Sequence, residues 1–264
     1  MSIFELGRRI LDKKLDAHAQ AAVKAEREDK GLPLGARIGS LLELPVADFA
    51  LLNKSLMRVP AKQQQVVALS RLHLDEAEDI GLYRLYTDCG SDRAGDGASF
   101  LQVLTSGSEV QEATYYQFLF RSIPVTEEEQ APYLGEGFGL GEQLYSMADD
   151  QLELIGLDSS QIENLLGDAE ALDFVRDTPG GDYVPPILAT ENRIDDQFGD
   201  KGLSQTIRFM QYMRVLPEDG LGSKEERLLI SFSVVDSLDG QKAPMVHIDF
   251  MIGIPLSLSK IKVY

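Results

Sequence analysis

Histidine is the rarest ionisable side chain but one in this 264-residue sequence, and two of the three histidines stand in the same short pattern. His73-Leu-Asp75 and His247-Ile-Asp249 each set an imidazole and a carboxylate two positions apart. Side chains alternate along a strand, so each pair would share one face. Two such strands side by side would gather two imidazoles and two carboxylates. That donor set suits a divalent metal and, through a metal-bound water, hydrolysis. A solvated strand face with polar alternation gives the same pattern with no chemistry attached. His73, Asp75, His247 and Asp249 are therefore the candidates of an alternative reading, a metal-dependent hydrolase. The expected assignment is no catalytic residue, no cofactor and no metal.

The other chemistry-bearing residues point the same way. The run Gly135-Glu-Gly-Phe-Gly-Leu-Gly141 has neither the dinucleotide spacing nor the P-loop spacing. Glu136 and Glu142 would repel a phosphate, so a glycine-permitted loop is the better reading. The single cysteine, Cys89, lies among turn residues and acids that disfavour its thiolate. No GxSxG elbow is present, and Ser106-Gly107-Ser108 reads as a hairpin turn. No DxDxDG calcium loop occurs among the acids.

Charge bounds the partners. Forty-three acids against 25 bases give a net charge of −18, which disfavours nucleic acid and bulk anionic membrane. One cysteine cannot form an internal disulfide, as expected of a cytoplasmic protein. No run of 18 apolar residues is present to span a bilayer, and basic residues interrupt any secretory signal at the N-terminus.

Hydrophobic periodicity divides the chain at about residue 31. Residues 2–29 read as one amphipathic helix, with Phe4, Ile10 and Leu11 on its apolar stripe and Arg8, Arg9, Lys13 and Lys14 among its bases. Gly31 and Pro33 break it. From 32 to 264 the pattern predicts one β-rich domain. Strands are expected at 37–44, 65–74, 81–87, 99–105 and 110–123, and again at 206–216, 227–236 and 244–256. A helix is expected over 46–58, and capping boxes at Thr126/Glu129 and Ser160/Glu163 predict two short ones. Residues 149–200 carry fourteen acids and two bases and read as one short helix within long loops, the core of an acidic segment at about 148–201. The fold class expected is α+β, a mainly antiparallel β core with a few short helices and the N-terminal amphipathic helix.

The stretch Leu32-Pro-Leu-Gly-Ala-Arg-Ile-Gly39 resembles a family of uncharacterised bacterial proteins, the YjfK-like family, a domain of unknown function. The likeness continues at Leu82-Tyr-Arg-Leu-Tyr86, Phe100-Leu-Gln-Val-Leu-Thr-Ser-Gly107 and Tyr116-Gln-Phe-Leu-Phe-Arg-Ser-Ile-Pro124, and returns near Met210-Gln-Tyr-Met-Arg214 and Glu226-Arg-Leu-Leu-Ile-Ser231. It covers most of residues 32–256. The family carries no assigned activity, so no residue role follows from it. Its gene neighbourhoods include phage-shock-type, membrane-remodelling coiled-coil proteins. The resemblance thus implies a role in envelope or membrane stress, with such a coiled coil as the protein partner and peripheral contact at the inner membrane.

The combined expectation is a non-enzymatic interaction or adaptor protein. Phe4, Arg8, Arg9, Ile10, Leu11, Lys13 and Lys14 would make the contact with a partner coiled coil or membrane edge.

Overall fold

Side-chain alternation builds this protein almost throughout. The computed structural model describes residues 27–74, 79–89, 98–178, 180–217, 225–235 and 245–264. Of these residues 49% are strand and 15% helical. The expected α+β class is corrected accordingly: the described chain is mainly β, and its helices are short pieces at the periphery.

Thirteen strands follow one another among the described residues: β1 (Leu41–Glu43), β2 (Gln63–Gln65), β3 (Ala68–Leu74), β4 (Ile80–Cys89), β5 (Ala98–Ser106), β6 (Glu109–Ser122), β7 (Leu144–Met147), β8 (Leu172–Arg176), β9 (Ile187–Ile194), β10 (Gly202–Val215), β11 (Glu225–Val235), β12 (Met245–Pro255) and β13 (Lys262–Val263). The helices are α1 (Val46–Ala50), α2 (Glu127–Gln130), α3 (Asp149–Leu154) and α4 (Ser159–Leu166). None of the described helices is long and apolar enough to cross a membrane.

Eight strands close on themselves. The order β11-β12-β6-β5-β4-β3-β9-β10 is antiparallel at every step, and β10 pairs with β11 from Gln205↔Val235 to Val215↔Glu225. The result is an eight-stranded antiparallel barrel. Closure satisfies every edge of an otherwise exposed sheet. β8 and β7 branch from the C-terminal half of β10, and β13-β1-β2 form a separate small sheet.

The two faces of the barrel wall bury different side chains. One apolar cluster draws on all eight barrel strands and on nothing else, including Leu72, Tyr86, Phe100, Tyr116, Phe209 and Met251. It fills the interior, as the bore of an eight-stranded barrel allows. Tyr86 meets Phe100 edge-on at 5.2 Å, and Phe100 meets Tyr116 at 5.6 Å. Gly253 is required here, because a Cβ at that position would press into the Tyr116 ring.

The second cluster joins the outer wall to everything around it. Phe49 of α1 meets Tyr115 of β6 at 5.9 Å. Tyr145 of β7 packs against Tyr212 of β10 and Phe250 of β12 at 5.8 and 5.9 Å. Leu152, Ile162 and Leu165 seal α3 and α4 onto the same layer.

Several local expectations are corrected. The helix expected over 46–58 stops at Ala50, because the loop after it is captured by Glu226, a fully buried residue of β11. That carboxylate accepts from Leu56 N at 2.8 Å, from Ser55 Oγ, and from Arg214 Nε at 2.7 Å. The second capping box is Asp158/Gln161, so α4 begins earlier than Ser160 would place it. The acidic stretch holds two helices and the strands β8 and β9 rather than one helix in long loops.

Residues 27–29 form a turn rather than the end of a helix. Arg27 forks onto Asp29 at 2.8 and 2.7 Å and reaches Gln197 at 2.7 Å. Asp29, fully buried, accepts from Ile38 N at 2.9 Å and so closes the Gly31-Pro33 loop onto the body. Its hydrogen bonds from Arg27 hold the Asp29 carboxyl below the usual carboxylate range. The residues expected to contact a partner, Phe4, Arg8, Arg9, Ile10, Leu11, Lys13 and Lys14, lie outside the described residues.

Candidate functional site

The barrel bore is where polar chemistry concentrates. Glu191 of β9 is fully buried and faces inward between β3 and β10. It pairs with Arg84 at 2.9 Å and accepts from Ser70 and Tyr86 at 2.6 Å each, and from Gln205 at 2.9 Å. Arg84 lies over the Phe100 ring at 4.8 Å, so one flank of the guanidinium is covered by an aromatic face. Burial works to raise the Glu191 carboxyl, yet the Arg84 charge and the surrounding donors hold it below the usual range. Burial, and then the Glu191 charge, push the Tyr86 phenol up. This cluster has every carboxylate lone pair engaged and reads as a structural pin.

A consequence follows for acid stability. Because the folded Glu191 carboxyl is depressed, its contribution is fully present above the unfolded value of about 4.3 and is lost as pH falls through the folded one. The difference in thermal midpoint between the natural chain and Glu191→Gln is therefore expected to be constant near neutrality and to shrink below about pH 4. A difference that widens in acid would contradict the assignment.

At the end of the bore nearest Arg227, that side chain pairs with Glu112 and donates to Thr114 at 3.1 Å. The Tyr116 phenol donates to Gln211 at 2.6 Å, and Gln211 in turn donates to Asp177 at 2.7 Å. At the opposite end, Arg121 forks onto Asp249 at 2.6 and 2.9 Å, and His247 Nε2 lies 3.4 Å from the same carboxylate. Burial opposes ionisation of Asp249, but His247 and Arg121 keep its carboxyl below the usual range. Ser231 and Ser233 of β11 stand opposite Asp249 and His247. Among the described residues, Ser231 Oγ and His247 Nδ1 are buried without a hydrogen-bond partner.

The described residues of the alternative metal set do not converge. His247 is buried within the barrel, whereas His73 is exposed on the outer face of β3, opposite Thr190. β3 and β12 are not neighbours in the barrel, and Asp75 lies outside the described residues. Among the described residues, no three His, Cys, Asp or Glu side chains stand close enough to hold a metal ion. On β12 the two-residue spacing does set His247 and Asp249 on one face. Spacing carries no strand order, and His73 and His247 fall on opposite faces of the wall.

The glycine run is built into the wall's cover. Gly141 donates to Tyr212 Oη at 2.9 Å, and Arg176 donates to the carbonyls of Gly141, Gly181 (2.7 Å) and Thr178 (3.1 Å). The guanidinium is spent on carbonyl oxygens, which ties the 131–141 loop to β8. Sequence reasoning passed over Arg84, Glu191 and Arg176. Two bases within a very acidic stretch, Arg176 and Arg193, were the signal that could have found the last.

The surface offers shallower features. A groove of about 440 Å³ runs beside the 27–32 segment, lined by Lys30, Leu32, Arg71, Tyr83, Asn192 and Phe198. A second, of about 510 Å³, separates the 54–58 loop from α3 and α4.

Residues 13–262 match the family described as protein of unknown function (DUF2491). The chain belongs to that family. The match spans the barrel and nearly all of its cover. No curated protein and no solved structure is similar to the chain.

Proposed function

We propose that this DUF2491-family chain is a non-enzymatic interaction protein, with the barrel as a rigid scaffold and residues 1–26 as the contact arm. The observation that carries this reading is the clamp at residues 27–29. Arg27 and Glu28 hold Gln197 and its carbonyl, and Asp29 holds Ile38, so the chain is anchored to the body directly after residue 26. A bore filled by Phe100, Tyr116, Phe209 and Met251 supports it too, because recognition then falls to the outer surface.

The finer reading names the YjfK-like group within the family. It places the protein in the cytoplasm and peripherally at the inner membrane, where it serves the response to envelope stress. Its partner would be a phage-shock-type coiled coil, met through Phe4, Ile10 and Leu11 and the bases Arg8, Arg9, Lys13 and Lys14. The placement of His73 and His247 lends the metal-hydrolase alternative no support.

Removal of residues 1–26 tests this reading. The cut must spare Asp29, whose loss would leave Ile38 N unpaired in the interior. The shortened chain is expected to keep its thermal midpoint and to lose capture of the purified coiled-coil partner and flotation with phosphatidylglycerol vesicles. Undiminished capture and flotation would refute the contact-arm role.

A further inference from the structure

Among the described residues, one stretch of the outer wall is left uncovered and stands apart in charge. On β3, Arg71 and His73 point outward and are exposed. On the neighbouring β9 the outward residues are Leu188, Thr190 and Asn192, all exposed. On β10 beyond it they are Ser204, Thr206 and Arg208. Register joins these into one surface: Arg71 lies opposite Asn192, Asn192 opposite Ser204, and Leu188 opposite Arg208. None of these outward positions carries a carboxylate, in a chain with 43 acids, and the groove at the Arg71 end brings in one acid, Glu28, beside Lys30.

The two arginines are not consumed by the fold. Among the described residues no carboxylate pairs with Arg71 or Arg208. Arg71 lies 5.8 Å from the ring centre of Tyr83, its cross-strand neighbour on β4, which holds the guanidinium in place while its donors stay outward. An acidic protein usually uses its few bases to offset its own acids, as Arg84, Arg121 and Arg214 do here.

We propose that this wall docks an acidic polypeptide segment of a partner. Arginine forks match carboxylates in geometry and charge. Thr190, Asn192 and Thr206 between the arginines offer hydrogen bonds to a peptide backbone, and Leu188 and Tyr83 offer apolar contact. A closed barrel has no free edge here, so recognition is by side chains rather than by strand addition. A body of net charge −18 repels every polyanion, so the favoured occupant is a short segment whose few carboxylates meet the two forks and which brings in less total charge than a nucleic acid. The same repulsion disfavours a second copy of this chain as the occupant. The proposal rests on the interaction reading for the existence of a partner, but it uses a different surface from the N-terminal arm.

The test is fluorescence polarisation with a labelled oligoglutamate peptide, at low and at physiological salt, on the full chain and on residues 27–264. Both chains are expected to bind, more weakly as salt rises. Arg71→Glu with Arg208→Glu should weaken binding by about tenfold or more, and the milder Arg71→Gln with Arg208→Gln should fall between. Unchanged thermal midpoints would confirm that both variants fold. No binding by the natural chain, or equal binding by the Gln variant, overturns the proposal. It is also overturned if a single-stranded oligonucleotide or phosphatidylglycerol vesicles bind more tightly through the same arginines. Self-association in light scattering that disappears in the Glu variant would identify a second copy as the occupant and overturn it as well. If oligoglutamate fails while removal of residues 1–26 still abolishes partner capture, only the wall is refuted and the contact-arm reading stands.

Discussion

Glu191→Ala is expected to lower the unfolding free energy by about 3–5 kcal/mol, the range for breaking a buried ion pair from one side. Arg84 would keep its charge in the bore with 5% of its side chain exposed and no carboxylate to meet it. Ser70, Tyr86 and Gln205 would lose their common acceptor at the same time. The informative companion is the double variant Arg84→Met with Glu191→Leu. Two apolar side chains of similar volume remove the desolvation cost along with the attraction, so most of the lost stability should return. Urea midpoints of the natural chain, the single variant and the double variant measure this directly. A double variant as unstable as the single one would mean that the pair is not the pin described above. It would then have to be doing something the bore's packing does not require.

Gly141→Ala is expected to cost about 3 kcal/mol, from backbone strain and overpacking together. Gly141 has φ +112°, outside the regions L-residues adopt, and a Cβ there would fall on the Val184 carbonyl oxygen. That oxygen is backbone and cannot swing aside. Gly137 has a comparable φ of +97° but meets nothing within 4 Å, so Gly137→Ala should cost only the strain, on the order of 1–2 kcal/mol. Thermal or chemical unfolding of the two variants separates them. Equal costs would show that the clash with Val184 is relieved by movement of the loop.

The barrel was legible in pieces. Val246, Ile248, Phe250, Ile252 and Ile254 alternate cleanly, and the expected strand at 244–256 appears as β12 (Met245–Pro255). The hairpins joining β4, β5 and β6 were visible for the same reason, and the turn at Gly107 has the positive φ that its residue type suggested. Closure was not legible, because the β6–β12 and β3–β9 pairings join segments far apart in the sequence and leave no local mark.

β9 was hidden by its own function in the fold. Its inward positions are Ala189, Glu191 and Arg193, so the face that reads as core in an ordinary strand reads as polar loop here. The helix expected over 46–58 failed for a comparable reason. Leu52 and Leu56 keep helical spacing, but Leu56 N is taken by a carboxylate 170 residues away. In both places a buried carboxylate meets a partner distant in sequence, Arg84 for Glu191 and Leu56 N for Glu226, and single-sequence periodicity carries no record of it.

The candidate site divides in the same way. His247 and Asp249 do meet on one strand face, as their spacing requires. The two outer-wall arginines were invisible as a pair, since Arg71 and Arg208 belong to strands far apart in the sequence that β9 brings together.

Amide hydrogen exchange with and without the purified coiled-coil partner is the most direct measurement of where this protein recognises anything. The account predicts new protection in residues 1–30 and in the 195–201 loop that carries the clamp, with the β11–β12 end of the bore unchanged. Protection confined to the strands around Ser231 and His247, with none in residues 1–30, would contradict it and move recognition into the barrel.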